Sequence, residues 1–273
     1  EAHEAMMLAS PSYAARAKAK AKAKPKVAPK AAAAAAPAAA APAAAPAGGY
    51  EGMDAVADGG TVNGTISYSG DQTDPQVDVG KDSEVCRQTD GKREGGILVV
   101  ADGKLANAVV ELTGITKGKN FEVGSIDVDN IECLFVPHVS LGQKGGKVLA
   151  KNSDAVLHNT NLTQVTPSKK SIGNSALPTQ GATAEKTLKK AGLVEISCDA
   201  HEWMSAYIYV TDHPYAAITG ADGAFSMADV PAGTYTAKVW HESLGEKEAE
   251  VTVEAGGTAT LDLAFEGATA SAE

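Results

Sequence analysis

Seven residues, Cys198-Asp199-Ala200-His201-Glu202-Trp203-Met204, offer a thiolate, an imidazole and a thioether in one short segment. A second imidazole, His158, lies 40 residues upstream and is followed directly by Asn159. Two imidazoles and a thiolate in a trigonal plane, with a weak axial thioether, form the donor set with which copper carries single electrons. Other readings of the same residues stay open. Cys198 could be a buried thiol or half of a cystine, with His201 and Met204 as packing residues and the site degenerate. Zinc could occupy a Cys/His site, although structural zinc takes several thiolates or imidazoles and has no use for a thioether. A binuclear copper centre would need a second cysteine in the loop, which has none.

The flanking pattern says how such residues would be positioned. Leu193-Val194-Glu195-Ile196-Ser197 alternates, with Val194, Ile196 and Cys198 on one face, the period of a half-buried strand. That strand carries Cys198 inward at its end. A tight loop then returns His201, and Met204 opens the next strand, Ala206-Tyr207-Ile208-Tyr209-Val210. His158 must arrive from a distant strand, so the site would exist only in the folded chain, and metal binding and folding would depend on each other. His201, on a loop, is expected to keep a solvent-facing edge and to serve as the port for electrons. Trp203, between two candidate ligands, is expected to pack on the loop and exclude water.

The order His…Cys-x2-His-x2-Met resembles the cupredoxins, and the short loop is most similar to that of amicyanin. The upstream stretch extends the likeness: Phe135-Val136-Pro137, a glycine turn, Val148-Leu149, Asn152-Ser153-Asp154, then His158-Asn159. The resemblance implies a Greek-key β-sandwich holding one type 1 copper through His158, Cys198, His201 and Met204. It also implies that the Asn159 amide approaches the thiolate. Pro137 suits an edge or bulged strand.

The rest of the body reads as short strands separated by glycine, Asp-Gly and proline turns, an all-β pattern. Asp222-Gly223-Ala224-Phe225 followed by Val230-Pro231-Ala232-Gly233-Thr234-Tyr235 resembles carboxypeptidase regulatory-like (transthyretin-like) domains. In those, opening strands like Gly60–Thr65 and Asn107–Leu112 precede such a segment. The resemblance implies a regulatory-like sandwich of residues 60–116 plus 213–266, into which a copper-binding domain of 117–212 is inserted or with which it is fused. Residues 1–59 are expected to be a disordered Ala/Pro/Lys linker and 267–273 a disordered tail. Residues 60–266 are also similar to a bacterial envelope family described as methylamine-utilisation or plastocyanin-like, through Cys198, His201, Trp203, Met204, Ala206, Tyr207, Asp212, Pro214, Tyr215 and Trp240-His241.

Charge is uneven. Residues 1–47 hold seven basic and two acidic residues, and with a chain net charge of −10 the remainder carries −15. An acidic body disfavours nucleic acid and suits a cationic redox partner, such as a c-type cytochrome, or a membrane respiratory or photosynthetic complex. No apolar run approaches the length of a membrane-spanning helix. The start at Glu1 is read as a processed chain, and membrane attachment through the linker or a removed anchor is an open expectation.

Of three cysteines, Cys198 is the candidate ligand, leaving Cys86 and Cys133 as a candidate disulfide. Two free thiols, or a second soft-metal site drawing in His138, are the alternatives. Nucleophile elbow, H-E-x-x-H, P-loop and dinucleotide motifs are absent from the sequence. The combined expectation is a non-enzymatic, periplasmic or envelope-facing one-electron carrier. Its rivals are a copper-sequestering or copper-delivery protein on the same ligands, and a structural envelope protein with a degenerate site.

Overall fold

A computed structural model of the chain describes residues 49–86 and 91–267. Every regular element among them is a β-strand. The strands form two sandwiches, each around its own apolar core.

The first sandwich faces a four-stranded sheet, in the order Ala216–Ile218, Val109–Thr113, Gly233–His241, Gly245–Val253, with a six-stranded sheet built on Gly60–Tyr68. Gly60–Tyr68 pairs with Ala224–Val230 on one side and, in parallel, with Thr258–Thr260 and Leu263–Phe265 on the other. Val62, Ile66, Leu112, Tyr215, Phe225, Met227, Val239 and Val251 meet in the core between the sheets.

The second sandwich carries the candidate ligands. One sheet runs Leu134–Val136, Ser125–Ile131, Lys147–Asn152, Thr183–Thr187, and the other runs Val139–Gln143, Ser205–Thr211, Gly192–Ser197, His158–Gln164, Lys170–Leu177. Pro137 lies where the chain leaves the end strand of one sheet and enters the end strand of the other, a place where no ladder hydrogen bond needs its missing N–H. Alternation in His158–Gln164 buries His158, Thr160, Leu162 and Gln164. Across the sheet, Val194 and Ile196 turn inward ahead of Cys198. Both patterns aim chemistry-bearing residues into the sandwich because a strand alternates faces at every residue.

A third, smaller cluster joins the sandwiches. Val109 and Trp240 of the four-stranded sheet of the first meet Val139 and Tyr209 of the five-stranded sheet of the second. Those sheets are therefore buried on both faces: Val110 and Leu112 point into the first core while Val109 points into the cluster. Tyr207 and Tyr209 pack on Trp240 with ring centroids 5.3 and 6.2 Å away, while Ala206, Ile208 and Val210 fill the second core.

Several boundaries differ from the sequence reading. Glu51–Met53, expected in the linker, pairs in parallel with Lys117–Lys119, and Tyr50 packs against the first core. Lys117–Lys119, expected in the copper-binding domain, also leans on the first sandwich, where the Lys119 amide donates to Tyr215 Oη at 2.9 Å. Gln76–Asp78 and Lys92–Glu94, expected in the regulatory-like sandwich, pair antiparallel, and Val79 and Cys86 lie in the second core. The reason is side-chain chemistry: the apolar Val79 and the cystine of Cys86 are buried there. Residues 1–48 and 268–273, where the rest of the linker and most of the tail were expected, lie outside the described residues.

Candidate metal centre

His158 opens its strand and Cys198 follows the end of the neighbouring one, so sheet pairing brings them to one pole of the second sandwich. The turn after Cys198 closes with the Met204 amide donating to the His201 carbonyl at 3.0 Å, which folds His201 back over the thiol. His158 Nδ1 and His201 Nδ1 then lie 3.0 Å apart, and Cys198 Sγ lies 3.9 Å from the first and 3.7 Å from the second. All three residues are buried. Met204 is buried in the same core.

The far nitrogen of each imidazole is engaged by a carboxylate. His158 Nε2 donates to Asp154 Oδ2 at 2.9 Å, and His201 Nε2 donates to Asp82 Oδ2 at 2.9 Å. Asp154 is held as an acceptor by the amides of Glu132 and Cys133, at 2.7 and 2.9 Å. Burial opposes its charge, but the hydrogen bonds from His158 and these amides prevail and lower its pKa. A neutral imidazole that donates through Nε2 presents a bare lone pair at Nδ1. Two such lone pairs and a sulfur therefore converge, and mutual repulsion requires a cation among them. A proton or a metal ion would serve.

The two imidazoles differ in basicity. Burial favours the neutral form of His158, yet hydrogen bonds to Asp154 and Cys198 outweigh it and raise the pKa to about 9. His201 moves the other way, because burial and the neighbouring His158 charge outweigh its bond to Asp82. Burial would raise the Cys198 thiol, but hydrogen bonds from His158 and from the amides of Asn159, Ala200 and His201 pull it below its ordinary value. The Asn159 amide donates to Sγ at 3.3 Å. The strand pairing that places His158 thus also supplies a hydrogen bond to a thiolate.

Trp203 lies against His201, ring centroids 4.9 Å apart, and donates from Nε1 to the Cys133 carbonyl at 3.3 Å. Cys86 and Cys133 form a disulfide, which removes the alternatives of free thiols and of a second soft-metal site with His138. His138 instead pairs with Glu242. His213 lies near Glu111, and His241 Nδ1 accepts from Ser243, so neither reaches the centre.

One expectation is corrected outright. His201 keeps no solvent-facing edge: its exposure is 0%. Asp82 covers one ring nitrogen, Trp203 packs against the ring, and the loop is folded inward by its own turn. Asp82 and Asp154 are the residues that sequence reasoning missed. Asp154 had a local signal, a carboxylate four residues before a histidine, whereas Asp82 sits 119 residues from its partner with no motif around it.

Residues 204–266 match the family model of the carboxypeptidase regulatory-like domain. The match begins at Met204, within the second sandwich, rather than at residue 213. No curated protein matches the chain. Similar solved structures include amicyanin from Paracoccus versutus, 16% identical, covering 32% of this chain and 81% of that one at a TM-score of 0.28. A purple cupredoxin from Nitrosopumilus maritimus is 20% identical and covers 31% of this chain and 98% of its own, at a TM-score of 0.27. A copper-containing nitrite reductase from Thermus scotoductus SA-01 is 22% identical over 35% of this chain and 24% of its own length, at a TM-score of 0.29. This chain therefore spans about a quarter of that enzyme.

Proposed function

We propose that the protein is a mononuclear blue-copper electron carrier. The observation that carries this reading is the convergence of two Nδ1 lone pairs and a thiolate whose outward hydrogen-bonding capacity is already used by Asp154, Asp82 and the Asn159 amide. The donor spacing fits one ion. At bond lengths of about 2.0 Å to imidazole and about 2.3 Å to thiolate, donors 3.0, 3.7 and 3.9 Å apart are close enough together for all three to hold a single ion. A single thiolate with two imidazoles is too poor in donors for a structural zinc site and matches the trigonal copper set.

His158, Cys198 and His201 would hold the ion, with Met204, buried in the same core, as a fourth candidate donor. Copper supplies a one-electron couple. The chain's own part is rigidity: Asp154 and Asp82 fix both imidazole planes, and the Asn159 amide withdraws charge from sulfur. The surrounding apolar core keeps water out. Full burial of both imidazoles favours retention of the ion over its delivery to another protein, which ranks electron transfer above copper trafficking.

The remaining parts of the reading concern setting. A cystine suits an oxidising compartment, so the periplasm or the outer face of a bacterial envelope is the proposed location. The acidic body makes a cationic redox protein, such as a c-type cytochrome, the proposed partner, or else a membrane respiratory or photosynthetic complex. The proposed role is that of a carrier rather than an enzyme.

Titration of purified protein with cupric ion tests this directly. One equivalent is expected to give an intense thiolate-to-copper absorption band that ascorbate bleaches and that Cys198→Ala abolishes. A pale product, or a band that survives the substitution, would overturn the reading.

A further inference from the structure

The Cys86–Cys133 cystine lies beside the candidate metal centre. A His201 ring nitrogen lies within 4.8 Å of both its sulfurs, and Cys133 Sγ lies within 4.8 Å of a ligand atom of Asp154 and of His158. The backbones on either side of the bridge carry the two orienting carboxylates. On one side the Cys86 amide donates to the Asp82 carbonyl at 2.9 Å, closing the turn from which the Asp82 side chain reaches His201. On the other, the Glu132 and Cys133 amides hold the Asp154 carboxylate that reaches His158. Arg93 spans the two sides, donating from Nη1 to the Cys86 carbonyl at 3.1 Å and to the Glu132 carbonyl at 2.5 Å.

The backbone at Cys133 is unusual for a hairpin. Glu132 and Cys133 connect Ser125–Ile131 to Leu134–Val136 as a two-residue turn, with φ of 52° and 56°. Both positions of such a turn ordinarily take Asn, Asp or Gly, because other side chains are disfavoured in the left-handed region. Here the Asp154 carboxylate accepts both turn amides and the bridge ties the turn to residue 86, which together stabilise a conformation that Glu-Cys would not select alone. Trp203, packed on His201, donates to the carbonyl of the same Cys133.

We infer that the Cys86–Cys133 bridge is a positioning element of the metal centre, coupling the Asp82–His201 and Asp154–His158 contacts so that both imidazoles are held together. Its role is distinct from general stabilisation of the sandwich, and it rests on the copper reading above. Without the bridge, the turn at Glu132–Cys133 relaxes, Asp154 loses aligned donors, and the Asp82 loop is free to withdraw from His201.

The test is a double-mutant cycle on the full chain between Cys86→Ala/Cys133→Ala and Asp154→Asn, which reports coupling rather than summed stability. Two quantities are read: the rate at which bound copper passes to an excess of chelator, and the position of the thiolate-to-copper band. Removal of the bridge is expected to speed copper loss by about 10- to 100-fold, the usual scale for partners that orient ligands, and to shift the band. Asp154→Asn should do the same. The combined variant should lose copper no more than about twofold faster than the worse of the two changes, as expected for groups acting through one contact. Multiplying effects, or an unchanged rate and band without the bridge, would overturn the inference. If the bridge-free protein does not fold, the bridge of the folded, copper-loaded protein is opened with a phosphine reductant: release of copper to a cuprous chelator should quicken several-fold relative to ascorbate-reduced protein with the bridge intact, whereas an unchanged rate with both thiols titrated as free would overturn the inference. Absence of the band in the unmodified protein would instead defeat the copper reading itself.

Discussion

His241 shows how burial sets a residue's titration, away from the candidate ligands. It is fully buried; its Nδ1 accepts from the Ser243 amide at 3.3 Å and its Nε2 has no partner. Burial, followed by repulsion from His138, depresses its pKa to about 4. His138 is itself paired with Glu242, and Ser243 supplies the other polar contact. An unfolded histidine titrates near 6.5. Between about pH 6.5 and 4 the unfolded chain binds a proton that the folded chain refuses, so stability is complete above this window and falls as pH drops through it. The slope is about 1.4 kcal/mol per pH unit for one such group. His213, lowered chiefly by burial, adds in the same direction. His241→Asn keeps an acceptor for Ser243 and is expected to flatten the His241 share of the slope. Urea midpoints at pH 7 and pH 5 measure it, and equal losses in both proteins would contradict it.

At the scale of elements, Gly60–Tyr68 is the strand on which the first sandwich depends, and Gly64 is its tightest point. A Cβ there would lie 1.8 Å from the Leu261 carbonyl oxygen and 2.7 Å from Phe225. The close approach lets Leu261 donate to the Asn63 carbonyl at 2.8 Å, setting the parallel pairing of Thr258–Thr260 and Leu263–Phe265. Gly64→Ala is expected to cost about 3 kcal/mol or more, in the upper range for point substitutions, read as a drop in the denaturation midpoint. A change below about 0.5 kcal/mol, the level of an ordinary surface substitution, would contradict that account.

Elements of this kind were unevenly legible. The alternation Val194, Ile196, Cys198 reports directly on burial, because period-two patterning is a local property. The meeting of His158 with the Cys198 loop was readable only through likeness to a family whose strands pair in that order. The Asp82–His201 contact was invisible: it is made between a connection and a loop that no periodicity links. The supposed exposure of His201 failed for a related reason. Loops are generally exposed, but this one is turned inward by a hydrogen bond within it and by ring packing with Trp203. The domain limits shift at 51–53, 76–78, 92–94 and 117–119, where strands of three residues carry too little pattern to show which core they join.

For the molecule as a whole, the cluster of Val109, Val139, Tyr209 and Trp240 decides whether the two sandwiches unfold as one. Trp240 is the largest side chain in it and touches both tyrosines of the sheet that carries the candidate ligands. Its removal leaves a cavity between sheets rather than within either core. Trp240→Ala is expected to lower stability by about 3–5 kcal/mol and to split a single thermal transition into two. Calorimetry reads both effects, and one unbroken transition at the original temperature would contradict them.

The course of the chain through these layers has a consequence for biosynthesis. Gly60–Tyr68 leaves the ribosome early, yet its partners Thr258–Thr260 and Leu263–Phe265 follow roughly two hundred residues later. The segment holding His158 and Cys198 is complete once Ser205–Thr211 has emerged. The half that carries the candidate ligands can therefore acquire its shape while the surrounding half still waits for its last strands, and an exposed early strand must be kept from wrong partners in the meantime. Truncation near the C-terminus would then injure the outer sandwich first and leave the inner one to be made.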